Sequence, residues 1–333
     1  MNENQILLQS KAAYNQWKEQ WREHATWHSK EQMRPLVDFE NIGIGKAVLC
    51  IANGFSFEEN LDTIKKYQDN VDIMVCDKTL GHCLDNGIRP TYVLVCDANV
   101  SYEKYLEPWK DRVGDIILFS NVCANPQWSE GINWKSKYFF VNKDILKSEV
   151  EFSKLSGCQN QIPAATNVSN AMVVFLTQSD NSGRNNFFGY DKILVIGYDY
   201  SWRAGKKYYS FDEIGGGKTN YMRHVFCKTH SGETAYTSGN LAFSAEWLDK
   251  YIKTFDLTVV QCSAGSILNP STDKRKRLGD LEHNMKYKFR QGDQKKVVSM
   301  VAKLNSLRQE SRKIDSELRK MGQEHFIAAA QSI

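Results

Sequence analysis

The sequence predicts an α/β protein: a mostly parallel sheet with helices on both faces, an inserted lid and helical additions at both ends. Three observations predict it. Short apolar, β-prone runs alternate with helical ones from residue 46 to 262. The runs at 46–52, 91–96 and 192–198 are apolar almost throughout, as strands covered on both faces are. Polar residues directly follow several of these runs, where such sheets place their ligands.

Residues 1–35 read as a polar helix whose Trp17, Trp21 and Trp27 can pack on the main domain. His24 and His28 lie one turn apart, which is metal-ligand spacing. With no third ligand nearby and no H-E-x-x-H pattern, they read as a solvated helix face. Strands follow at 46–52, 71–76, 91–96, 115–120, 137–141, 192–198 and 257–262, with helices near 57–68, 79–86, 100–110, 167–179 and 240–254.

The first strand runs into Asn53-Gly54-Phe55-Ser56 and then a helix. Gly54 permits a tight turn and close approach to a ligand. Ser56 suits an N-cap, and Glu58 and Glu59 suit the positive helix end. A strand, a Gly turn and a helix N-terminus form a site for an anion such as phosphate, although the same pattern serves ordinary βα turns. Asn53, Asp77, Asp97 with Asn99, and Asp199 each follow a strand. They should therefore share one sheet edge and one cleft.

Composition narrows the class. In a 333-residue chain a net charge of +4 is mild and does not imply nucleic-acid binding, which usually shows a concentrated basic face. No apolar run is long enough to span a bilayer, and the N-terminal residues lack a signal-peptide pattern. A cytoplasmic protein is the expectation. Cys50, Cys76, Cys96 and Cys262 end strands as small hydrophobes, and no CxxC pair suggests zinc.

Residues 200–238 form a long Gly-, Tyr- and Lys-rich insertion, which reads as a lid. Within it Gly215-Gly216-Gly217-Lys218-Thr219 is not a P-loop, because Asp212 stands where the first Gly is required. Gly43-Ile44-Gly45 precedes its strand and is no dinucleotide fingerprint, and no G-x-S-x-G elbow is present. The predicted organisation is a helical segment at 1–40, an α/β domain carrying the lid at 41–268 and a charged helical region at 269–333. Lys274-Arg275-Lys276-Arg277 reads as a solvated face, or as a neighbour of an acidic substrate. Residues 294–322 read as an amphipathic helix. Val297, Val301, Leu304, Ile314, Leu318 and Met321 keep heptad-like spacing, interrupted by Arg308 and Ser311. Packing on its own domain is the simpler reading; a homodimer helix is the alternative.

The segments KAVLCIANGFSFEENL, DIMVCDKTLGHCLDNGIRPTYVLVCDAN, TNVSNAMVVFLT and GYDKILVIGYDYSW, in that order over about residues 35–265, resemble the MptE-like family. That family includes an archaeal 6-hydroxymethylpterin diphosphokinase and the motility accessory factors implicated in flagellin glycosylation with nonulosonic sugars. The motif order is also similar to bacterial sialyltransferases with a CMP-activated donor, which share the Rossmann-like sheet. The resemblance implies a nucleotide-binding set of Asn53, Gly54, Ser56, Asp77, Asp97, Asn99, Thr166, Asn167 and Asp199. It implies Tyr209 and Tyr200 as donors to the leaving phosphate. His230, in Lys228-Thr229-His230-Ser231, matches the catalytic base. The acceptor would be a small molecule, a glycan or a protein, and sugar transfer would need no cofactor. The diphosphokinase alternative would use ATP and Mg²⁺ held by Asp77, Asp97 or Asp199. A third alternative is a non-catalytic nucleotide-binding protein, since Phe55 replaces the family's Pro in N-G-P-S.

Overall fold

The alternating apolar runs assemble into one eight-stranded sheet in the computed structural model. The structure describes residues 3–144, 146–177, 187–202, 224–229, 231–263, 265–267, 280–286 and positions between 299 and 317. The chain forms two compact units, residues 1–288 and 289–333.

In the first unit the order is α1 (Glu3–His28), β1 (Ala47–Ile51), α2 (Phe55–Glu59), α3 (Leu61–Tyr67), β2 (Asp72–Cys76) and α4 (Asp77–Asp85). Then come β3 (Tyr92–Val95), α5 (Tyr102–Tyr105), β4 (Ile117–Asn121), β5 (Ser136–Lys143), α6 (Glu149–Ser156) and β6 (Gln161–Pro163). After these follow α7 (Val168–Thr177), β7 (Lys192–Ile196), β8 (His224–Lys228), β9 (Thr234–Ser238), α8 (Gly239–Thr254), β10 (Val259–Gln261) and α9 (Leu281–Met285). The strand order is β10-β7-β1-β2-β3-β4-β5-β6, and every pairing is parallel. No described helix is long and apolar enough to cross a membrane.

Two-residue alternation sends side chains to two cores. Val48, Cys50, Met74 and Val195 join the core that holds α7 and α8. Leu49, Ile51, Val75 and Ile196 join the opposite one, with Phe57, Ile64 and Leu80 from α2, α3 and α4. Both faces are covered, which explains the apolar runs in sequence. Order reverses beside β1: β2 to β6 are added on one side, then β7 and β10 on the other. A crevice opens beyond the strand ends at such a switch point.

Several expectations need correction. The helix expected at 57–68 is two helices, broken at Asn60. The Asn60 amide donates to Ser56 O (2.8 Å), so the side chain takes a carbonyl that the helix ladder would use. The helix expected at 100–110 gives way to a 3-10 turn over Glu107–Arg112, with Pro108 near its start. His28 is not on a solvated face: it is fully buried, with its ring 5.1 Å from Phe139. Burial pushes its imidazole down to about 4. The insertion expected as a lid at 200–238 contains an antiparallel hairpin, β8–β9.

Candidate active site

A cavity of about 440 Å³ lies beyond the carboxyl ends of β1, β2, β3 and β7. Asn53 and Gly54 enter it from the β1 turn, Asp77 and Asp97 from beyond β2 and β3, and Tyr200 from beyond β7. The N-terminus of α7 closes it, through Asn167, Val168 and Ser169.

The β1 turn is locked from within. Gly54 N–H donates to Gly197 O (2.9 Å), Ser56 N–H to Asp199 Oδ2 (2.9 Å) and Phe57 N–H to Gly54 O (3.1 Å). Ser56 Oγ accepts from Gly197 N–H at 2.9 Å. The helix cap is Gly54, with Phe55 as the first helical residue, so Ser56 is not the N-cap. The anion cradle expected here is therefore largely occupied by protein bonds, and α2 is only five residues long. Gly54 is required by close approach instead: a Cβ there would collide with Asp199 Oδ2 and Gly197 O. Gly197 adds a left-handed φ of 73°.

What the turn leaves open is the Asn53 side chain. It is 8% exposed, and among the described residues neither its amide nitrogen nor its oxygen has a hydrogen-bond partner. The amide nitrogen and oxygen are thus buried at the cavity wall without hydrogen-bond partners among the described residues.

The free backbone donors are at α7. Asn167 Oδ1 accepts from Asn170 N–H (2.8 Å), which caps the helix. The N–H groups of Val168 and Ser169 have no acceptor among the described residues, and both residues line the cavity. They carry the positive end of a ten-residue helix. The sequence reading named Asn167 but missed these donors. An Asn three residues before Asn170 at the head of an apolar run was the signal available.

Asn170 is fully buried and fully bonded. Its amide nitrogen donates to Thr166 Oγ1 (2.7 Å) and Ser244 O (2.9 Å), and its oxygen accepts from Tyr200 Oη (2.6 Å). Ser244 O can only accept, which fixes the amide orientation and makes Tyr200 the donor. Tyr200 therefore commits its single proton to Asn170. The donor role implied for Tyr200 toward a leaving phosphate would need a second proton, which a hydroxyl lacks.

Asp77 is 1% exposed, and burial pushes its carboxyl up to about 6. The Lys78 N–H opposes that shift (Oδ1 accepts at 2.7 Å), while the charge of Asp97 adds to it. Asp97 Oδ1 accepts from Asn99 N–H (2.8 Å). Asn99 itself turns away from the cavity: its side chain accepts from Gln20 at 3.1 Å. Asp199 also stands apart. It is buried, with its carboxyl raised chiefly by burial, and Ser263 Oγ donates to its other oxygen (2.7 Å). Thr166, Ser56, Asn99 and Asp199 are not among the described lining residues. Tyr209 and His230 lie outside the described residues, as do Lys274 to Arg277. Among the described residues no three His, Cys, Asp or Glu side chains form a metal-binding group.

No curated protein matches the sequence. The fold is similar to that of the MAf glycosyltransferase from Magnetospirillum magneticum AMB-1, with 14% identity and a TM-score of 0.50. The similarity covers 84% of this chain and 42% of that one, so this chain spans less than half of that protein's length. The family described as 6-hydroxymethylpterin diphosphokinase MptE-like matches residues 18–205, which include the strand ends and the α7 N-terminus that build the cavity. This chain belongs to the MptE-like family.

Proposed function

We propose that this chain is a nucleotide-dependent transferase that moves a glycosyl group, from a CMP-activated sialic-type (nonulosonic) donor. The observation that carries the reading is the Asn53 amide, buried in the cavity wall with donor and acceptor both unpaired. Each unpaired buried group costs about 1–3 kcal/mol. A nucleobase edge or a sugar hydroxyl supplies the missing partners. The α7 N-terminus supports the same reading, since two N–H groups without acceptors among the described residues and a helix dipole suit a phosphate. The similarity in fold to a glycosyltransferase is consistent with it.

In such a transfer an acceptor hydroxyl attacks the anomeric carbon as the carbon–oxygen bond to phosphate breaks. The nucleotide leaves with the bonding electrons, and the acceptor proton passes to a base. The Val168 and Ser169 N–H groups would meet the charge developing on the phosphate. By sequence alone, the base is His230 and a further donor to the phosphate is Tyr209.

The acidic pair Asp77 and Asp97 favours a second reading, pyrophosphoryl transfer from ATP. Mg²⁺ keeps several waters and needs few protein carboxylates, so these two could hold it, and it would neutralise polyphosphate charge. Asp199, bonded to Ser56 and Ser263, does not fit that set.

Thermal shift with CMP, CMP-sialic acid, UDP-sugars and ATP, each with and without Mg²⁺, tests the choice. A ligand at about a hundredfold its Kd adds nearly 3 kcal/mol of stability. Stabilisation by CMP compounds without metal is expected. Stabilisation only by ATP with Mg²⁺ selects the second reading, and no shift with any ligand leaves a non-catalytic protein.

A further inference from the structure

Two helices bring their N-terminal ends to the cavity from opposite faces of the sheet. α7 packs through Met172 and Val173 into one core, and α4 through Leu80 and Cys83 into the opposite one. Val168 and Ser169 line the cavity from the α7 side. From the α4 side comes Lys78, the second residue of that helix and the one cationic side chain among the described lining residues. Its ammonium stands 5.9 Å from the centroid of the Tyr105 ring, a cation–π distance. Its charge also acts on Asp77, where it opposes the upward push of burial on the carboxyl.

Donor chemistry gives the two sides distinct tasks. In a nonulosonic donor the anomeric carbon bears both the phosphate oxygen and a carboxylate. In an aldose donor a hydrogen takes the carboxylate's position. A site for the first class therefore meets two anions joined through one carbon. The α7 N–H groups suit the phosphate. Asp77 and Asp97 also line the cavity, but carboxylates accept from sugar hydroxyls and repel a sugar carboxylate. Among the described lining side chains the charged partner for that carboxylate is Lys78. We propose that Lys78 is a specificity-determining residue, its ammonium pairing with the carboxylate on the anomeric carbon while α7 holds the phosphate. The proposal rests on the CMP-nonulosonic reading above and adds the residue that tells such a donor from a neutral sugar on the same nucleotide.

Isothermal titration of the full chain with CMP, CMP-sialic acid and the methyl ester of its carboxylate tests it. Wild type should bind CMP-sialic acid at least about tenfold more tightly than the ester, the scale of a hydrogen bond to a charged group. Lys78→Met should weaken CMP-sialic acid about tenfold and leave CMP within about twofold. The ester should bind wild type and variant alike, and Lys78→Arg should keep most of the preference for the acid. Equal weakening of CMP and CMP-sialic acid in Lys78→Met would put the ammonium at the phosphate and overturn the proposal. Unchanged binding of CMP-sialic acid would overturn it too. A wild type that binds the acid and the ester equally overturns it without any variant, so the test stands even if Lys78→Met fails to fold. A wild type that binds no CMP compound fails at the underlying reading, and the proposal falls with it.

Discussion

The two walls of the cavity use the same chemistry to opposite ends. At the β1 turn the backbone N–H groups of Gly54, Ser56 and Phe57 are all bonded within the protein, while the Asn53 side chain has no hydrogen-bond partner among the described residues. At α7 the cap is satisfied by Asn167 and Asn170, while the first two helical N–H groups have no acceptor among the described residues. One wall is a lock with one free amide; the other is a helix end aimed into the cavity. The difference teaches that a strand–Gly–helix motif reports a close backbone approach, and that a ligand is only one of the things that can approach. Here it is the end of β7.

That contrast can be broken at several points. The largest effect belongs to Gly54→Ala, where a Cβ meets the Asp199 carboxylate and the Gly197 backbone. A loss of about 3 kcal/mol or more is expected in urea denaturation. A loss under 1 kcal/mol would mean that the turn is not locked.

Asp77→Asn should have the opposite sign. Its carboxyl, raised to about 6 by burial, is stable in the fold when protonated. That contribution is complete below the unfolded value near 3.8 and is lost as pH rises through about 6. The variant should therefore gain up to about 3 kcal/mol at pH 7 and almost nothing at pH 3.5. Equal effects at both pH values would contradict the burial argument. The gain in stability should accompany weaker binding in the cavity, as expected for a charge kept at a functional site.

Ser56→Ala removes the acceptor of the buried Gly197 N–H and should cost about 1–3 kcal/mol. Nucleotide affinity per folded molecule should stay within about twofold, because Ser56 does not line the cavity. Val168→Pro is the converse. Proline is tolerated at the first helical position and lacks the N–H there. Stability should change by less than about 1 kcal/mol, while affinity for a phosphate-bearing ligand drops about tenfold by isothermal titration. Unchanged affinity would remove α7 from the binding site.

Much of the fold was legible in the sequence. Strands buried on both faces leave unbroken apolar runs, and β1, β2, β3, β4, β5, β7 and β10 fall within or close to the runs read. β6 was not legible: three residues ending in Pro163 carry no pattern. The break at Asn60 depends on one side chain choosing Ser56 O, which composition does not reveal. At the cavity, strand-end position placed Asn53, Asp77 and Asp97 together. Asp199 follows a strand as well, yet its carboxylate faces Ser56 and Ser263, because a side chain at a strand end can turn into either the crevice or the neighbouring turn. The Tyr200–Asn170 bond joins residues 30 apart in sequence, beyond the reach of any local motif.

Asn53→Ala is the most direct test of the central claim, that the open amide at the β1 turn is there to hold a ligand. Titration of wild type and variant with CMP and CMP-sialic acid should show affinity falling at least about tenfold. Denaturation of the same two proteins should show stability unchanged or improved, since the lost amide has no hydrogen-bond partner among the described residues. Unchanged affinity for every ligand that binds the wild type, or a loss of stability as large as that of Ser56→Ala, would contradict the account.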